Sequence, residues 1–500
     1  MSKIKWFIFI YALFLIVYIS TSKFTFKESF LELILLIIIG SFLLFIFSKR
    51  DLPIHKMALI TIIFFGLLCV FFTPIISAPD EYEHFTRAEL TSKGEFFPKY
   101  VDHPANIITH KDFVTIKSVG VLANKNQEKM KFKSKFVMKY VNDTRWDDLK
   151  IDYTPYYVNA AFNQNPFYGY IPQAIGIDIA KGLNLTNIWM IWIGRICNLI
   201  FYGLLCAYAI KKAPIYKNAL FVAACLPLSI FLAASLSIDP IINALSFLTI
   251  AYFLYMYKQA DNSLTWKNIL IFTVISLLCA FTKVSLLALS LLIFLIPKSK
   301  FKNQKTNIGR IFGFLITFSC TAIWLKLYAL NGLIQSPRYN FNLNTHYQLL
   351  FIKSHFTSYL ITITKPSLYY SLIFIKVGFF RYVPRVFVIL FIIFFVLYCL
   401  NYPQKEKLKN FSRIGLFIIS VILVLGTVTI LYLTNNKIGA NNVSGVQFRY
   451  FIPIIPLMPM IFNITKNNIT TNKTKLLFYT INLAFIAEVI MAIILRFFYH

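Results

Sequence analysis

Charge is scarce in this chain, and acidic residues are the scarcest. Only 14% of the 500 residues are charged, against about 25% in a soluble domain. Of the 20 Asp and Glu, 13 lie within residues 77–187 together with 14 Lys and Arg, so this segment is nearly neutral. The net charge of +30 therefore comes from short loops elsewhere. That distribution is typical of membrane topology and not of nucleic-acid binding, so no nucleic-acid partner is expected.

The motifs of nucleotide and metal chemistry are also missing. The sequence has no Walker loop, no glycine-rich dinucleotide motif and no histidine-rich metal box. None of the seven cysteines lies in the polar segment 77–187, which excludes a disulfide framework or a zinc site there. We interpret all seven as small buried side chains in or beside apolar runs. They are Cys69, Cys197, Cys206, Cys225, Cys279, Cys320 and Cys399.

Long apolar runs are what the sequence has in abundance. Hydrophobic residues make up 58% of the chain, and many runs approach the ~20 residues that span a bilayer as a helix. The pattern predicts an all-α integral membrane protein with thirteen transmembrane helices. The first run lacks a small-x-small cleavage site, so we interpret it as an uncleaved span. The predicted spans are residues 5–21, 30–47, 57–76, 188–210, 218–237, 241–257, 268–282, 284–297, 311–330, 386–401, 413–433, 448–464 and 476–496.

Five basic loops predict the orientation of the chain. They hold Lys49, Arg50 and Lys56; Lys211, Lys212 and Lys217; residues 298–310; residues 405–413; and Lys466, Lys473 and Lys475. If all five are cytoplasmic, the N-terminus is inside, the C-terminus is outside, and segment 77–187 is external. With thirteen spans, this orientation requires residues 331–385 to begin and end on the same side of the membrane. The apolar stretch 358–380 would then be interfacial or re-entrant. Two crossings there fit equally well.

The polar segment 77–187 is too long for a simple connection, and such loops are often functional. Residues 81–92 are expected to form a short amphipathic helix. Residues 167–183 are expected to lie flat at the membrane interface. The Lys-rich stretch 125–139 is interpreted as a solvated loop or a contact with lipid headgroups.

A dense group of ionisable residues opens this segment, Ala-Pro-Asp-Glu-Tyr-Glu-His-Phe-Thr-Arg at 78–87. Asp80, His84 and Arg87 are spaced i, i+4 and i+7, which places them on one face of a helix that starts there. Adjacent carboxylates Asp80 and Glu81 suit a general base. The simpler alternative is a helix start, because an acid near a helix N-terminus is favoured by the macrodipole.

Further polar positions fall on the same predicted external side. Asp239 lies in the turn Ser-Ile-Asp-Pro, Lys283 separates two short apolar runs, and Arg449 lies in Gln-Phe-Arg-Tyr at 447–450. An arginine on the external side needs a reason, and an anionic ligand is one. The alternatives are an Asp-Pro turn, a snorkelling lysine and an interfacial Arg-Tyr anchor.

Two remaining candidates are less informative. The pair Arg381 and Arg385 fits simple anchoring at the interface. Glu488 lies mid-span in the last apolar run, where pairing within the bundle and a functional role are both open. Carboxylates and cations on one side of the membrane together suit transfer from a lipid-linked phosphate donor.

Six short motifs in order resemble a bacterial family of polytopic membrane proteins of unknown function that is related to the GT-C glycosyltransferases. They extend over roughly residues 57–464, and Phe448 replaces the glycine usual in the last of them. The motifs are Ala78-Pro-Asp-Glu-x-x-His-x-x-Arg-Ala88; Asn165-Pro-Phe-Tyr168 with Ile171-Pro-Gln-Ala174; Gly194-Arg-x-x-Asn198; Ala234-Ser-Leu-Ser-x-Asp239; Lys283; and Gln447-x-Arg-Tyr-Phe-x-Pro453.

The resemblance implies a GT-C-like transmembrane core at residues 57–464, preceded by an extra helical hairpin at 1–56 and followed by a transmembrane helix at 465–500. It implies an enzyme of the bacterial cytoplasmic membrane that moves a hexose or pentose from a polyprenyl-phosphate-linked donor to a glycan or lipid acceptor on the outer face. The alternative is a lipid-linked glycan transporter or a non-catalytic assembly component.

The resemblance also implies roles for single residues. Asp80, with Glu81 and Asp239, would be catalytic. A divalent cation, Mg²⁺ or Mn²⁺, is open as a cofactor, and Asp80 and Glu81 would be its ligands. Contacts to the donor phosphate or substrate are expected from His84, Arg87, Lys283, Gln447, Arg449 and Tyr450. Membrane lipids surround the whole bundle.

Overall fold

The computed structural model describes residues 2–21, 30–49, 52–101, 112–122, 146–334, 344–365, 383, 385–402, 407–463 and 472–498. Within these ranges the chain is almost entirely helical, with one antiparallel pair of strands, β1 (Phe113–Ile116) and β2 (Pro155–Val158), in the polar segment. The α-helices are α1 (Ser2–Thr21), α2 (Phe30–Lys49), α3 (Ile54–Phe72), α4 (Glu81–Ser92), α5 (Ile171–Gly182), α6 (Asn187–Lys212), α7 (Lys217–Ala224), α8 (Pro227–Ala233), α9 (Asp239–Tyr257), α10 (Trp266–Thr282), α11 (Gln304–Trp324), α12 (Leu330–Ile334), α13 (Thr345–Ser354), α14 (Phe356–Thr364), α15 (Arg385–Leu400), α16 (Asn410–Asn435), α17 (Met458–Phe462) and α18 (Asn472–Phe498).

Several departures from regular α-helix shape the bundle. Pro227 begins α8, directly after α7 ends, so the predicted span 218–237 is two short helices. The segments Val284–Leu295 and Phe448–Leu457 are 3₁₀-helical, and the second contains two prolines. A π-helical turn, Leu325–Ala329, joins α11 to α12.

Among the described residues, eight helices are long and apolar enough to cross a membrane. Three shorter apolar helices match the predicted spans 268–282, 284–297 and 386–401. The other two predicted spans, 218–237 and 448–464, correspond to pairs of short helices. The all-α membrane architecture is therefore confirmed, and thirteen crossings remain a prediction.

Three of the five predicted basic loops, at residues 211–217, 298–310 and 405–413, lie at one end of the bundle, which we call the basic end. Three contacts indicate this arrangement, and Arg50, Lys405 and Lys466 lie outside the described residues. The contacts are the hydrogen bond from the Asn262 amide to the Ser299 carbonyl (2.8 Å), the one from the Lys409 amide to Tyr257 Oη (3.1 Å), and the stacked rings of Tyr216 and Tyr402 (5.1 Å). Which face of the membrane this end meets stays a prediction.

The two helices expected in the polar segment are present, but the surroundings of the first differ from the expectation. Helix α4 covers the predicted residues 81–92, yet every side chain from Glu81 to Thr91 is buried. It is therefore an internal helix and not an amphipathic surface helix. Helix α5 lies within the predicted 167–183, with Ile175 exposed and Ile177 buried, so it is apolar on both faces.

Close helix packing anchors α5 to α6. A Cβ atom on Gly176 would lie 2.5 Å from the Cα of Gly194, so only glycine allows this approach. Through this contact the polar segment is fixed to the bundle beside the N-terminal part of α6.

Parts of two predictions lie outside the described residues. The Lys-rich stretch 125–139 is one, and residues 366–382, with Arg381, are the other. The neighbouring helices α13 and α14 pack on α16, where the Gln348 side chain donates to the Tyr432 carbonyl at 3.2 Å.

The N-terminal hairpin and the C-terminal helix form one layer with α15. The ring of Phe14 in α1 makes edge contacts with Phe387 of α15 and Phe485 of α18. Glu488 is buried in this layer, and its Oε1 atom has no hydrogen-bonding partner among the described residues.

Candidate functional site

A cavity of about 310 Å³ lies at the end of the bundle away from the basic loops. Asp80 follows α3, Asp239 begins α9 and Lys283 follows α10, so chain direction brings all three to this end. The polar part of the lining contains Asp80, His84, Asp239, Lys283, Arg449 and Tyr450. The apolar part, from the α11–α12 helix and α16, contains Trp324, Leu325, Leu330, Leu333, Ile430 and Leu431.

Arg449 links two carboxylates in the polar part of the cavity. Its Nη2 lies 2.7 Å from Asp80 Oδ2, and its Nη1 lies 3.0 Å from Asp239 Oδ2. The Arg449 side chain is 6% exposed, against 25% for Asp80 and 13% for Asp239. Asp80 is thus the more accessible acid. Both terminal nitrogens of Arg449 bind carboxylates, and a contact of Arg449 with the donor phosphate stays a prediction.

Asp80 reaches Arg449 from a strained position. It precedes α4 with φ 56°, the left-handed region that residues other than glycine rarely adopt. Strain of this kind costs of order 1–3 kcal/mol and is concentrated at functional sites. The ion pair holds the carboxylate at the cavity wall against this cost.

Lys283 is the second cation of the cavity. It lies in an extended junction between α10 and the 3₁₀ segment, and its Nζ is 3.5 Å from the centroid of the Tyr450 ring. Burial lowers the pKa of Lys283 to about 7, although the nearby Asp239 carboxylate opposes this effect. Among the described residues no hydrogen bond or ion pair is made by its Nζ, so Lys283 is a cation available to a ligand.

Glu81 does not face the cavity, in contrast to the expectation that it acts with Asp80. Its carboxylate is fully buried and binds Arg195 through two contacts, Nε to Oε1 at 2.8 Å and Nη2 to Oε2 at 2.6 Å. Arg195 also donates to the carbonyls of Val70, Thr73 and Pro74. The pair therefore fixes the turn between α3 and α4 against α6.

This geometry also separates Asp80 from Glu81, the two ligands named for the divalent cation that the sequence left open. Both oxygens of Glu81 are bound by Arg195, so Asp80 and Glu81 do not converge on a common point. Over the ranges described, no group of three His, Cys, Asp or Glu side chains could hold a metal ion.

The hydrogen bonds of Arg195 form one buried frame, and a second buried frame, made by Asn198 and Gln173, positions Asp239. The Asn198 side chain donates to the carbonyls of Ser235 (2.7 Å) and Ser237 (3.0 Å). Gln173 donates to the Ser237 carbonyl as well, at 3.0 Å. The backbone entering α9 is thereby held by side chains from α5 and α6, and the first turn of α9 presents Asp239 to the cavity.

Two other predicted ligand contacts lie away from the cavity lining. Arg87 is buried, and it donates to Thr91 Oγ1 (2.8 Å) and to the carbonyls of Phe96 (3.0 Å) and Asn165 (3.3 Å). Gln447 precedes the 3₁₀ segment and is half-buried. Arg87 thus fixes the polar segment, because its donors bind protein carbonyls.

His84 and Tyr450 do line the cavity, as expected. His84 is 3% exposed, with its ring stacked on Phe162 at 4.6 Å and its Nδ1 atom 2.8 Å from Tyr170 Oη. Ala161, Phe162 and Gln164 also line the cavity. They were not singled out from the sequence, because loop residues without periodicity give no signal for such a role.

The frame residues Arg195, Gln173 and Asn198 were noted only as parts of motifs. The signal that could have identified them is a polar side chain within an apolar run, which requires a buried partner. Their partners are backbone carbonyls distant in sequence, and these cannot be inferred without the fold.

Comparison with known proteins gives a match to one family model. No curated protein and no solved structure matches the chain. A family model described as "Predicted membrane protein (DUF2142)" matches residues 63–458, which includes the cavity and both frames. The chain therefore belongs to the DUF2142 family of predicted membrane proteins.

Proposed function

We propose that the cavity binds a polyprenyl-phosphate-linked sugar and transfers the sugar to an acceptor hydroxyl of a glycan or lipid. The observation that carries this proposal is the position of Lys283 at the polar end of an apolar-walled cavity that Asp80 and Asp239 also line. Among the described residues its Nζ makes no hydrogen bond or ion pair and contacts only the Tyr450 ring. A soluble sugar nucleotide would have no use for the apolar wall, whereas an isoprenoid chain would be buried by it.

The cavity carries no net charge, and it offers two donors to a phosphodiester oxygen. Asp80, Asp239 and Arg449 sum to one negative charge, and protonated Lys283 brings the site to neutrality. The Nε–H group of Arg449 is buried and has no hydrogen-bonding partner among the described residues. An incoming phosphate oxygen would gain the Lys283 ammonium and, after a small shift, this Arg449 donor, and charge-assisted hydrogen bonds are the strong ones.

The proposed transfer has one bond-forming and one bond-breaking event. The acceptor hydroxyl loses its proton to the Asp80 carboxylate, and its oxygen forms a bond to the anomeric carbon. The bond from the anomeric carbon to the phosphate oxygen breaks, and the electron pair leaves with polyprenyl phosphate. Lys283 stabilises the added negative charge, and Asp239 holds Arg449 in place.

The proposed location is the outer face of a bacterial cytoplasmic membrane. It rests on the positive-inside rule, because the cavity lies at the end opposite the basic loops. A transporter is the less favoured alternative: the buried mid-span acid Glu488 belongs to the layer of α1, α15 and α18 and does not line the cavity.

The test is a transfer assay in proteoliposomes. Purified protein is supplied with a panel of synthetic polyprenyl-phosphate hexoses and pentoses and with lipid extract as acceptor, and release of polyprenyl phosphate is measured. We expect Asp80→Asn to lose at least a hundredfold in rate, because general-base catalysis contributes about 10²–10⁴. Asp148→Asn, an exposed acid of the same polar segment, is the matched control.

The amide of Asp80→Asn keeps the size of the side chain and an oxygen for Arg449, so insertion and folding should be retained. Full transfer by this variant, or no turnover of any donor by the wild-type protein, would contradict the proposal.

A further inference from the structure

Two loops at the basic end form one surface. One loop, residues 258–265, leads into α10, and the other, residues 296–303, leads into α11. Leu264 joins them: its N–H donates to the Lys300 carbonyl, and its carbonyl accepts the Lys302 N–H, both at 2.9 Å. The side chains of the two loops therefore lie together at the N-terminal ends of α10 and α11.

This surface is strongly basic. Asp261 is the only acid in residues 258–310, and its Oδ1 lies 2.8 Å from Lys300 Nζ, so this pair is neutral. The surface also carries three exposed lysines and a half-buried arginine, namely Lys298, Lys302, Lys305 and Arg310. An excess of positive charge on one small surface attracts an anion.

Arg310 is held in place while part of its guanidinium stays available. Its Cζ lies 5.5 Å from the centroid of the Phe301 ring and 5.8 Å from that of the Phe294 ring. Its Nη1 donates to the Ile296 carbonyl at 3.4 Å, which is the one hydrogen bond of this side chain among the described residues. The two rings therefore restrain the guanidinium, and Nη2 keeps its donors for a ligand.

The helices next to this surface expose apolar side chains. Trp266, the first residue of α10, is 53% exposed, and a Cβ atom on Gly309 of α11 would lie 2.3 Å from its ring. The following turns of α10 and α11 expose Leu270, Val274, Ile308, Ile311, Phe312 and Leu315. Because tryptophan is enriched at the level of the lipid headgroups, the cations lie where a lipid phosphate lies and the apolar side chains lie where acyl chains do.

We propose that Lys298, Lys302, Lys305 and Arg310 bind the headgroup phosphate of an anionic phospholipid whose acyl chains lie along α10 and α11. Cations and phosphate oxygens form charge-assisted hydrogen bonds, which are the strong ones. A zwitterionic phospholipid offers the same phosphate but adds a positive group that these cations repel. A soluble anion would make no use of the exposed apolar side chains. The inference is independent of the cavity and of the proposed function.

The test is native mass spectrometry of the full-length protein in detergent, titrated with phosphatidylglycerol or with phosphatidylcholine of the same acyl chains. We expect phosphatidylglycerol to bind more tightly. The combined variant Lys298→Gln, Lys302→Gln and Lys305→Gln should lose at least tenfold in affinity for phosphatidylglycerol, because one cation near an anionic lipid surface contributes about fivefold. Its affinity for phosphatidylcholine should not change.

A charge-matched control separates this surface from the general charge of the basic end. It removes three exposed lysines of other loops at the same end, by Lys211→Gln, Lys407→Gln and Lys409→Gln, and it should keep the wild-type affinity. The same loss in both triple variants, or equal binding of the two lipids by the wild-type protein, would overturn the inference. Displacement of phosphatidylglycerol by millimolar inorganic phosphate would also overturn it, because the site would then take a soluble anion.

Arg310→Gln tests the restrained guanidinium by itself. We expect about a tenfold loss of affinity for phosphatidylglycerol, a typical loss for a hydrogen bond to a charged group. The exposed lysines make no packing contact with the two rings, so the triple variant decides the question even if Arg310→Gln folds poorly. Wild-type affinity in a folded Arg310→Gln protein would contradict the proposed site.

Discussion

Lys283 is the residue of the cavity whose ionisation should be visible in binding experiments. Burial lowers its pKa to about 7, so in the free protein the ammonium is charged below this pH and loses its proton above it. We expect the affinity for a polyprenyl-phosphate hexose to be constant at acidic pH and to fall as the pH rises through about 7, because the diester keeps its single charge throughout.

Lys283→Arg supplies the matched variant, since its guanidinium stays charged over this range. Its affinity should not depend on pH, whereas the wild-type pH profile should persist in Lys93→Arg, an exposed lysine of the polar segment. The same pH profile in wild type and in Lys283→Arg would show that another group controls binding.

The candidate residues of the cavity could be predicted in part from the sequence. Asp80, Asp239 and Lys283 were identified because charge is rare in this chain and topology assigns them to one side. Their pairing could not be predicted, because Arg449 contacts residues 369 and 210 positions away in sequence. The prediction that Glu81 acts with the adjacent Asp80 failed for the same reason, because the partner of Glu81 is Arg195 on α6.

At the scale of elements, the Glu81–Arg195 pair is the contact on which the position of α4 depends most. Both side chains are fully buried, and removing one partner of such a pair costs about 3–5 kcal/mol because the remaining charge loses its counter-charge. We expect Glu81→Gln to lower the thermal unfolding temperature in detergent, measured by tryptophan fluorescence, and to reduce the yield of folded protein. Glu95→Gln, an exposed acid just beyond α4, should leave both unchanged.

An unfolding temperature of Glu81→Gln equal to that of the wild type would mean that Arg195 is satisfied by the three backbone carbonyls alone. The position of α4, and with it that of Asp80, would then have to depend on the apolar contacts of the helix.

Element bounds were largely predictable, and element surroundings were not. Residues 81–92 form a helix as the pattern indicates, yet the helix is buried. Arg195 and Lys181, from neighbouring helices, pair with two of its three acids, Glu81 and Glu89. The span 218–237 was predicted as one helix, since its apolar character continues across Pro227 although the backbone does not.

At the scale of the whole molecule, we predict the orientation in the membrane from the separation of the basic end and the cavity. Lys302, at the basic end, and Lys437, near the cavity end of α16, are both exposed. With an impermeant thiol reagent we expect Lys437→Cys to be labelled in intact cells and Lys302→Cys only after permeabilisation. Labelling of Lys302→Cys alone in intact cells would reverse the orientation and place the cavity in the cytoplasm.

The most direct test of the central claim is photo-crosslinking of a polyprenyl phosphate that carries a diazirine close to its phosphate. The account predicts adducts on residues 324–333 and 427–435, which line the apolar part of the cavity, and their loss when unmodified polyprenyl-phosphate hexose competes. Adducts confined to the exposed faces of α1 and α2, and insensitive to the competitor, would contradict the account.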